Sequence, residues 1–316
     1  MTVRTGGTIC VLLAATLWGT TGTAAALAPQ VGPVAVGAAA MGFGGLLQGI
    51  IAAGPMATRV RELRTHRALI LLGAVAIAVY PLAFYSSMRL AGVAVGTVIS
   101  IGLAPIIAAV IERILDHRPL SRRWLISTGV SLLGICALTV AHAASDQSSP
   151  VLGADPELGA RAASWRPLLG IGLAVIAAGT YALYSWAAAT LIRRGLPTRT
   201  TMGAMFGCGG LLLLPVMIVT GAPIVADPGN LAVVAYLAVV PMFLGYLLFG
   251  RGLAAVPAST ATTLSLWEPV VAACLAVIVL HERLPILGWL GVTLVLLGLT
   301  VLTIRLPAKV PASIQR

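Results

Sequence analysis

The sequence predicts an all-α polytopic membrane protein of about ten transmembrane helices, arranged as two inverted five-helix repeats. Three observations predict it. The composition leaves little material for a water-facing surface, the basic residues crowd onto one side of the apolar runs, and the second half of the chain repeats the first.

Of 316 residues, 59% are hydrophobic and 9% charged, and the mean hydropathy is +1.02. A soluble domain carries about 25% charged residues because its surface faces water. This chain must therefore place most of its surface in hydrocarbon. At about 20 residues per span its length accommodates about ten spans with short loops, which excludes a large extramembrane catalytic domain. The net charge of +11 does not indicate a nucleic-acid partner, since the basic residues fall between apolar runs with no aromatic-interleaved stripe. Cys10, Cys136, Cys208 and Cys274 lie inside apolar segments without metal-ligand spacing, so neither a metal nor a cofactor is expected.

Apolar runs broken by Pro, Gly and Arg clusters place spans at 8–28, 33–54, 68–88, 93–112, 124–142, 167–190, 200–220, 231–250, 258–280 and 286–305. The first run exceeds the 7–15-residue core of a signal peptide and reads as a first helix. The one long polar interruption, 143–166, contains Asp146, Pro150, Asp155, Pro156 and Glu157 and marks an extracytoplasmic linker. The domains are then a first repeat at 1–142, the linker at 143–166, a second repeat at 167–305 and a cytoplasmic tail at 306–316.

Orientation follows from Arg and Lys. Arg4, Arg59, Arg61, Arg64, Arg67, Arg113, Arg118, Arg122 and Arg123 are assigned to one side. Arg193, Arg194, Arg199, Arg283, Arg305, Lys309 and Arg316 join them there. Arg89, Arg161, Arg166 and Arg251 are assigned to the other, a split of about 16 to 4. By the positive-inside rule the crowded side is cytoplasmic, with both termini on it, which requires an even number of spans.

The repeat is visible within the chain itself. Gly42-Phe43-Gly44-Gly45-Leu46-Leu47 recurs as Gly207-Cys208-Gly209-Gly210-Leu211-Leu212, and Pro81 answers Pro241. A shift of 164 positions pairs Pro105 with Pro269, His117 with His281, and Leu132-Leu133-Gly134 with Leu296-Leu297-Gly298. A unit with an odd number of spans is followed by a copy entering from the opposite face, a recurring design of secondary transporters.

Glu268 is the most informative residue. A charge within a span costs about 2.5–3.5 kcal/mol on insertion scales, so it should face a bundle interior or aqueous cavity. It reads as a substrate- or proton-binding carboxylate; the alternative is a protonated Glu serving packing only. Its repeat mate is Ala104. Aromatic residues interrupt the aliphatic helices at Trp18, Tyr80, Tyr85, Tyr181, Tyr184, Tyr246 and Trp267, offering stacking faces with one polar handle to a cavity, or else packing and interfacial belting. Pro81, Pro105, Pro241 and Pro269 are expected to break their helices. Glu112, Asp116, His117, Arg118, His281, Glu282 and Arg283 cluster at equivalent turns, read as solvated cytoplasmic loops, with a gate salt bridge as the alternative. Arg89 and Arg251, at equivalent turns on the other side, would attract anions or snorkel to headgroups. Gly45 with Gly49 and Gly203 with Gly207 give small-residue spacings for close helix contact. No nucleophile elbow, paired-His metal helix or phosphate-cradling loop is present, and His142 has no evident partner.

Leu17-Trp18-Gly19-Thr20, Ala254-Ala255-Val256-Pro257-Ala258, Glu268-Pro269 and His281-Glu282-Arg283-Leu284 together resemble the drug/metabolite transporter superfamily, EamA type. So does the closing helix from Gly288 to Gly298, and the resemblance covers nearly the whole chain. It implies an inverted-repeat carrier in the cytoplasmic membrane, exporting amino acids or other small metabolites, often in exchange for protons. By resemblance, helices 1, 3, 4, 6, 8 and 9 line a central cavity including Trp18, Tyr181 and Glu268. The sequence departs from the family where many relatives carry an Arg in the second helix, here Gly37 to Gly45, and where Ala104 replaces a polar residue. Substrate class (amino acid, cationic drug or sugar), coupling ion and oligomeric state stay open, as does the remoter alternative of a membrane-embedded enzyme or lipid scramblase. The expected partners are a small-molecule substrate, the lipid bilayer and protons.

Overall fold

Among the described residues, ten helices long and apolar enough to cross a bilayer follow one another, each overlapping one expected span. In order they are Val3–Ala25, Pro33–Ala57, Arg67–Ala91, Val95–Leu115, Arg122–Ala141, Arg166–Arg193, Thr198–Thr220, Pro228–Leu253, Ala258–Val279 and Ile286–Thr303, hereafter spans 1 to 10. The computed structural model describes residues 3–146, 165–279 and 283–304. Linker residues 147–164 with Arg161, the His281-Glu282 pair, the tail, Arg305, Lys309, Arg316 and the His142 side chain lie outside the described residues. Among the described residues there is no strand. Hydrocarbon supplies no hydrogen-bond partners, so the backbone of a crossing segment must find its partners within the protein, for most of its length in its own helix. Leu and Ile side chains such as Ile50, Leu133, Leu168 and Ile218 point outward, as a lipid-facing surface requires.

The packing has the symmetry that the repeat demands. Spans 2 and 7 pack along their length, as do spans 5 and 10, and span 4 meets span 9. Span 3 packs on span 6, and its counterpart, span 8, packs on span 1. Exchanging the two halves maps these neighbours onto themselves. Because each copy holds an odd number of spans, the copies run through the bilayer in opposite directions.

Glycine carries the interfaces between copies. A Cβ on Gly207 would lie 3.0 Å from the Gly49 Cα, and one on Gly210 would meet the Gly42 carbonyl, so spans 2 and 7 touch backbone to backbone. The repeat mates Gly44 and Gly209 lie against equivalent partners, Gly44 on Met242 and Ala238 of span 8 and Gly209 on Ile77 and Ala74 of span 3. Spans 5 and 10 meet similarly through Gly134, Gly291 and Gly298, and Ser127 Oγ donates to the Gly298 carbonyl at 2.7 Å.

Two expectations need correction. Alternation through ten spans puts Arg251, at the end of span 8, on the same face as Glu112 at the end of span 4. Arg283, between spans 9 and 10, lies on the opposite face. The two trade places, so the charge asymmetry is unchanged, but turns equivalent by repeat lie on opposite faces because the copies are inverted. In addition, Pro81 and Pro105 sit inside continuous helices, Arg67–Ala91 and Val93–Leu115. Packed neighbours in a membrane bundle accommodate the one lost backbone bond.

Replacing Gly207 with Leu should wedge spans 2 and 7 apart and cost about 1–3 kcal/mol, the range of overpacked cores. A lowered thermal-unfolding midpoint in detergent checks it, with Gly54→Leu, where a Cβ meets nothing within 4 Å, leaving the midpoint unchanged.

Candidate functional site

Span 9 is not one helix. It runs as Ala258–Leu264, turns at Ser265-Leu266, and resumes as Trp267–Val279. Pro269 explains the break: it has no N–H, and its ring excludes the Ser265 carbonyl from a helical bond, yet proline is tolerated in the first turn of a new helix. The Ser265 carbonyl instead accepts from the Glu268 N–H at 2.9 Å. Ser265 Oγ donates to the Thr262 carbonyl at 2.8 Å and accepts from the Tyr181 hydroxyl at 2.7 Å. The break thus brings Glu268 into the first turn of a half-helix, at the positive end of its dipole.

Span 8 departs from α-helix differently. Residues Ala238–Leu244 form a π-helical turn around Pro241, a feature that recurs at functional sites. The Pro241 carbonyl accepts from Trp18 Nε1 at 3.0 Å, which ties span 1 to the irregular turn.

These two irregular spans face a cavity of about 410 Å³. Of the predicted site residues, Trp18, Tyr80, Tyr85, Tyr181, Tyr246 and Glu268 line it, together with Pro81 and Pro269. The rings form one continuous wall. Trp18 lies 4.8 Å from Tyr246 and 6.4 Å from Tyr181, and Tyr181 lies 5.6 Å from Tyr80 (ring centroids). Glu268 is the one lining residue with a formal charge, and among the described residues no cation or donor meets its carboxylate.

Tyr184 and Trp267 do not line the cavity. Tyr184 lies behind the wall against Phe206, its hydroxyl 2.9 Å from that of Tyr246. Trp267 turns to span 1 and donates to Thr16 Oγ1 at 2.9 Å. Sequence reasoning missed Phe84, which stacks on Tyr80 at 5.6 Å and lines the cavity with Met41, Met88, Met242, Thr97 and Thr139. Its spacing four residues after Tyr80 was an available signal, because that is one helical face.

The cavity opens toward one face only. Its outer lining, Thr21 to Ala25, Met88, Val93 and Leu284, belongs to the face where spans 1, 3, 5 and 9 end. Toward the other face the protein is sealed. The Glu112 carboxylate, 2% exposed, accepts from the Ala258 N–H at 2.8 Å and from Ser259 Oγ at 2.5 Å, so one half of the molecule caps a helix of the other. Asp116 accepts from Arg193 Nη2 at 2.7 Å and from Trp186 Nε1 at 3.3 Å. Glu112 and Asp116 are therefore not the solvated turn that the sequence suggested: their acceptor atoms are drawn inward by donors on spans 6 and 9. His117, beside them, is exposed as expected.

Comparison with known proteins gives a family match. The EamA-like transporter family matches residues 5–140 and 168–304, one copy per half. A protein of Bacillus subtilis (strain 168) named "Uncharacterized transporter YwfM" is 34% identical over 295 residues, covering 93% of this chain and 92% of its own. An "Uncharacterized transporter" of Clostridium kluyveri is 28% identical over 140 residues, 42% of this chain and 43% of its own. A solved crystal structure, 21% identical, superposes with a TM-score of 0.74 over 95% of this chain and 97% of the other, and shares the fold.

Trp18→Phe keeps an aromatic ring but removes the buried hydrogen bond to the Pro241 carbonyl, which costs about 0.5–1.5 kcal/mol. The thermal-unfolding midpoint should fall accordingly, and a Tyr85→Phe variant, whose hydroxyl makes no hydrogen bond among the described residues, should retain it.

Proposed function

Since this chain belongs to the EamA-like transporter family, we propose that it is a secondary carrier that exports a small polar metabolite bearing an ammonium group, such as an amino acid, by alternating access across the cell membrane. The family is one of transporters rather than enzymes, and the bundle is its ten-helix, two-repeat form. The substrate class rests on one observation: among the described residues, a cavity walled by aromatic rings holds one carboxylate and no basic side chain. An anion would enter such a site without a counter-charge, whereas an ammonium finds both the carboxylate and ring faces. A cationic drug satisfies the same chemistry and is the second reading, favoured by the predominance of rings and methionines over hydrogen-bonding groups. A sugar is disfavoured for the same reason.

Coupling to protons follows from the solitary carboxyl. One carboxyl can hold a proton or neutralise an ammonium, not both, so the two compete for it and their fluxes run in opposite directions. The basic side of the chain is the cytoplasmic side in this reading, which puts both termini inside and the open cavity outside.

Reconstituted in proteoliposomes and screened against labelled amino acids and primary amines, the protein should carry at least one, and Glu268→Gln should slow that flux by about tenfold or more, the scale of a lost charge-assisted contact. Undiminished flux in Glu268→Gln would remove the carboxylate from the mechanism.

A further inference from the structure

One buried carboxylate, Glu112, plays no part in the open cavity. It lies on span 4, which presents a single continuous face to the centre of the protein. Val93, Thr97 and Ile101 of that face line the cavity; at helical spacing it continues through Ala104 and Ala108 to Glu112, all three buried. The repeat leads to the same stripe independently. The shift that pairs Pro105 with Pro269 also pairs Ala108 with Ala272 and Glu112 with Ala276. Ala272 and Ala276 line the open cavity beyond Glu268. In an inverted repeat, the wall that one copy shows to one face is the wall that its mate shows to the other.

Two more groups extend the stripe. Ser185 lies one turn beyond Tyr181 on span 6, and Gln48 lies two turns beyond Met41 on span 2, both toward the sealed face. The Ser185 hydroxyl and both amide atoms of Gln48 are buried without a hydrogen-bond partner among the described residues. Such groups are paired in most folded structures, so these stand as unused donors and acceptors on the sealed side of the cavity.

Resting on the transport reading above, we infer that the sealed half contains a second solute station, in which Glu112 holds the ammonium group before it passes to Glu268. In the present conformation the protein itself fills the station. The Ala258 N–H and the Ser259 hydroxyl occupy the carboxylate positions that a solute's N–H donors would take. This defines the ligand: a group that replaces two donors on one carboxylate is an ammonium with at least two N–H bonds, a primary or secondary amine, and not a quaternary one.

The test works with the transported solute still unidentified. Serine replaces Cys10, Cys136, Cys208 and Cys274, and single reporters Ala276→Cys, Ala108→Cys or Ala104→Cys are introduced into reconstituted protein. A membrane-impermeant maleimide is then applied to either face. Ala276→Cys should react from the cavity face, and Ala108→Cys and Ala104→Cys more slowly and only from the opposite one. Glu112→Gln weakens the cap and should raise the Ala108→Cys rate by about tenfold or more. With Glu112 present, n-butylammonium should slow that labelling and tetramethylammonium should not. The inference is overturned if Ala108→Cys and Ala104→Cys stay silent from both faces, with and without Glu112→Gln, while Ala276→Cys reacts. It is equally overturned if they react from the cavity face, or if the two ammonium ions act alike. Solute flux measured on the unlabelled protein tests the transport reading separately, so the two can fail independently.

Discussion

Hydrocarbon offers a backbone no hydrogen-bond partner, and every irregular feature of this protein is shaped by that constraint. A helix can be broken inside the bilayer only where other protein groups take over the freed donors and acceptors. Span 8 shifts to a π turn at Pro241, and Trp18 of span 1 donates to the Pro241 carbonyl there. Span 9 stops at Ser265, and Tyr181 of span 6 reaches the hydroxyl that closes the turn. The aromatic residues of the cavity wall therefore have two tasks. Their faces shape the chamber, while their polar tips hold open the two helices whose irregularity brings Glu268 into it.

The molecule divides its interfaces by side-chain size. Between spans 2 and 7, and between spans 5 and 10, glycines put backbone against backbone, and close van der Waals contact replaces the hydrophobic driving force that lipid cannot supply. Around the chamber, spans 1, 3, 6 and 8 meet instead through Trp, Tyr and Phe rings with centroids 4.8–6.4 Å apart. Glycine contacts cannot separate without opening a void, whereas ring contacts can slide and still bury area. The scaffold pairs and the lining spans are thus different kinds of surface, and that difference makes the centre the deformable part.

Much of this was legible in the sequence, because length, hydropathy and a halved repeat are properties of single helices and their order. The ten spans could be read directly, while Trp18, Tyr80, Tyr85, Tyr181, Tyr246 and Glu268 could be named only as cavity candidates, with packing as the alternative. Helix phase could not be read. These spans are apolar all round, so no hydrophobic stripe reveals which side meets the chamber. Trp267, one residue before Glu268, consequently turns to Thr16, and Tyr184 sinks behind the wall. Glu112 was obscured by its charged neighbours Arg113, Asp116 and His117, and only the fold brings Ala258 and Ser259 to it. The misplacement of Arg251 and Arg283 has a different cause: positions related by the repeat look alike in sequence, but inversion sends them to opposite faces.

Inversion also bears on energetics. Two identical inverted copies would make a protein whose two conformations, each open to one face, are exchanged by the twofold axis and equal in energy. This chain breaks that equality at two positions of one register: Glu268 stands opposite Ala104, and Glu112 opposite Ala276. In the conformation open on the Glu268 side, Glu112 is buried and fully employed as a cap, while Glu268 faces the chamber unpaired. Opening the other side reverses the demand, since Glu112 then loses its two donors and the chamber around Glu268 must close over a carboxyl. A buried carboxylate without a partner is costly, so that closure is favoured only when a cation or a proton accompanies it. In the proposed carrier cycle the asymmetry between the halves therefore supplies what a perfect repeat would lack: a preferred resting conformation, and a requirement that its exchange be coupled to a charge.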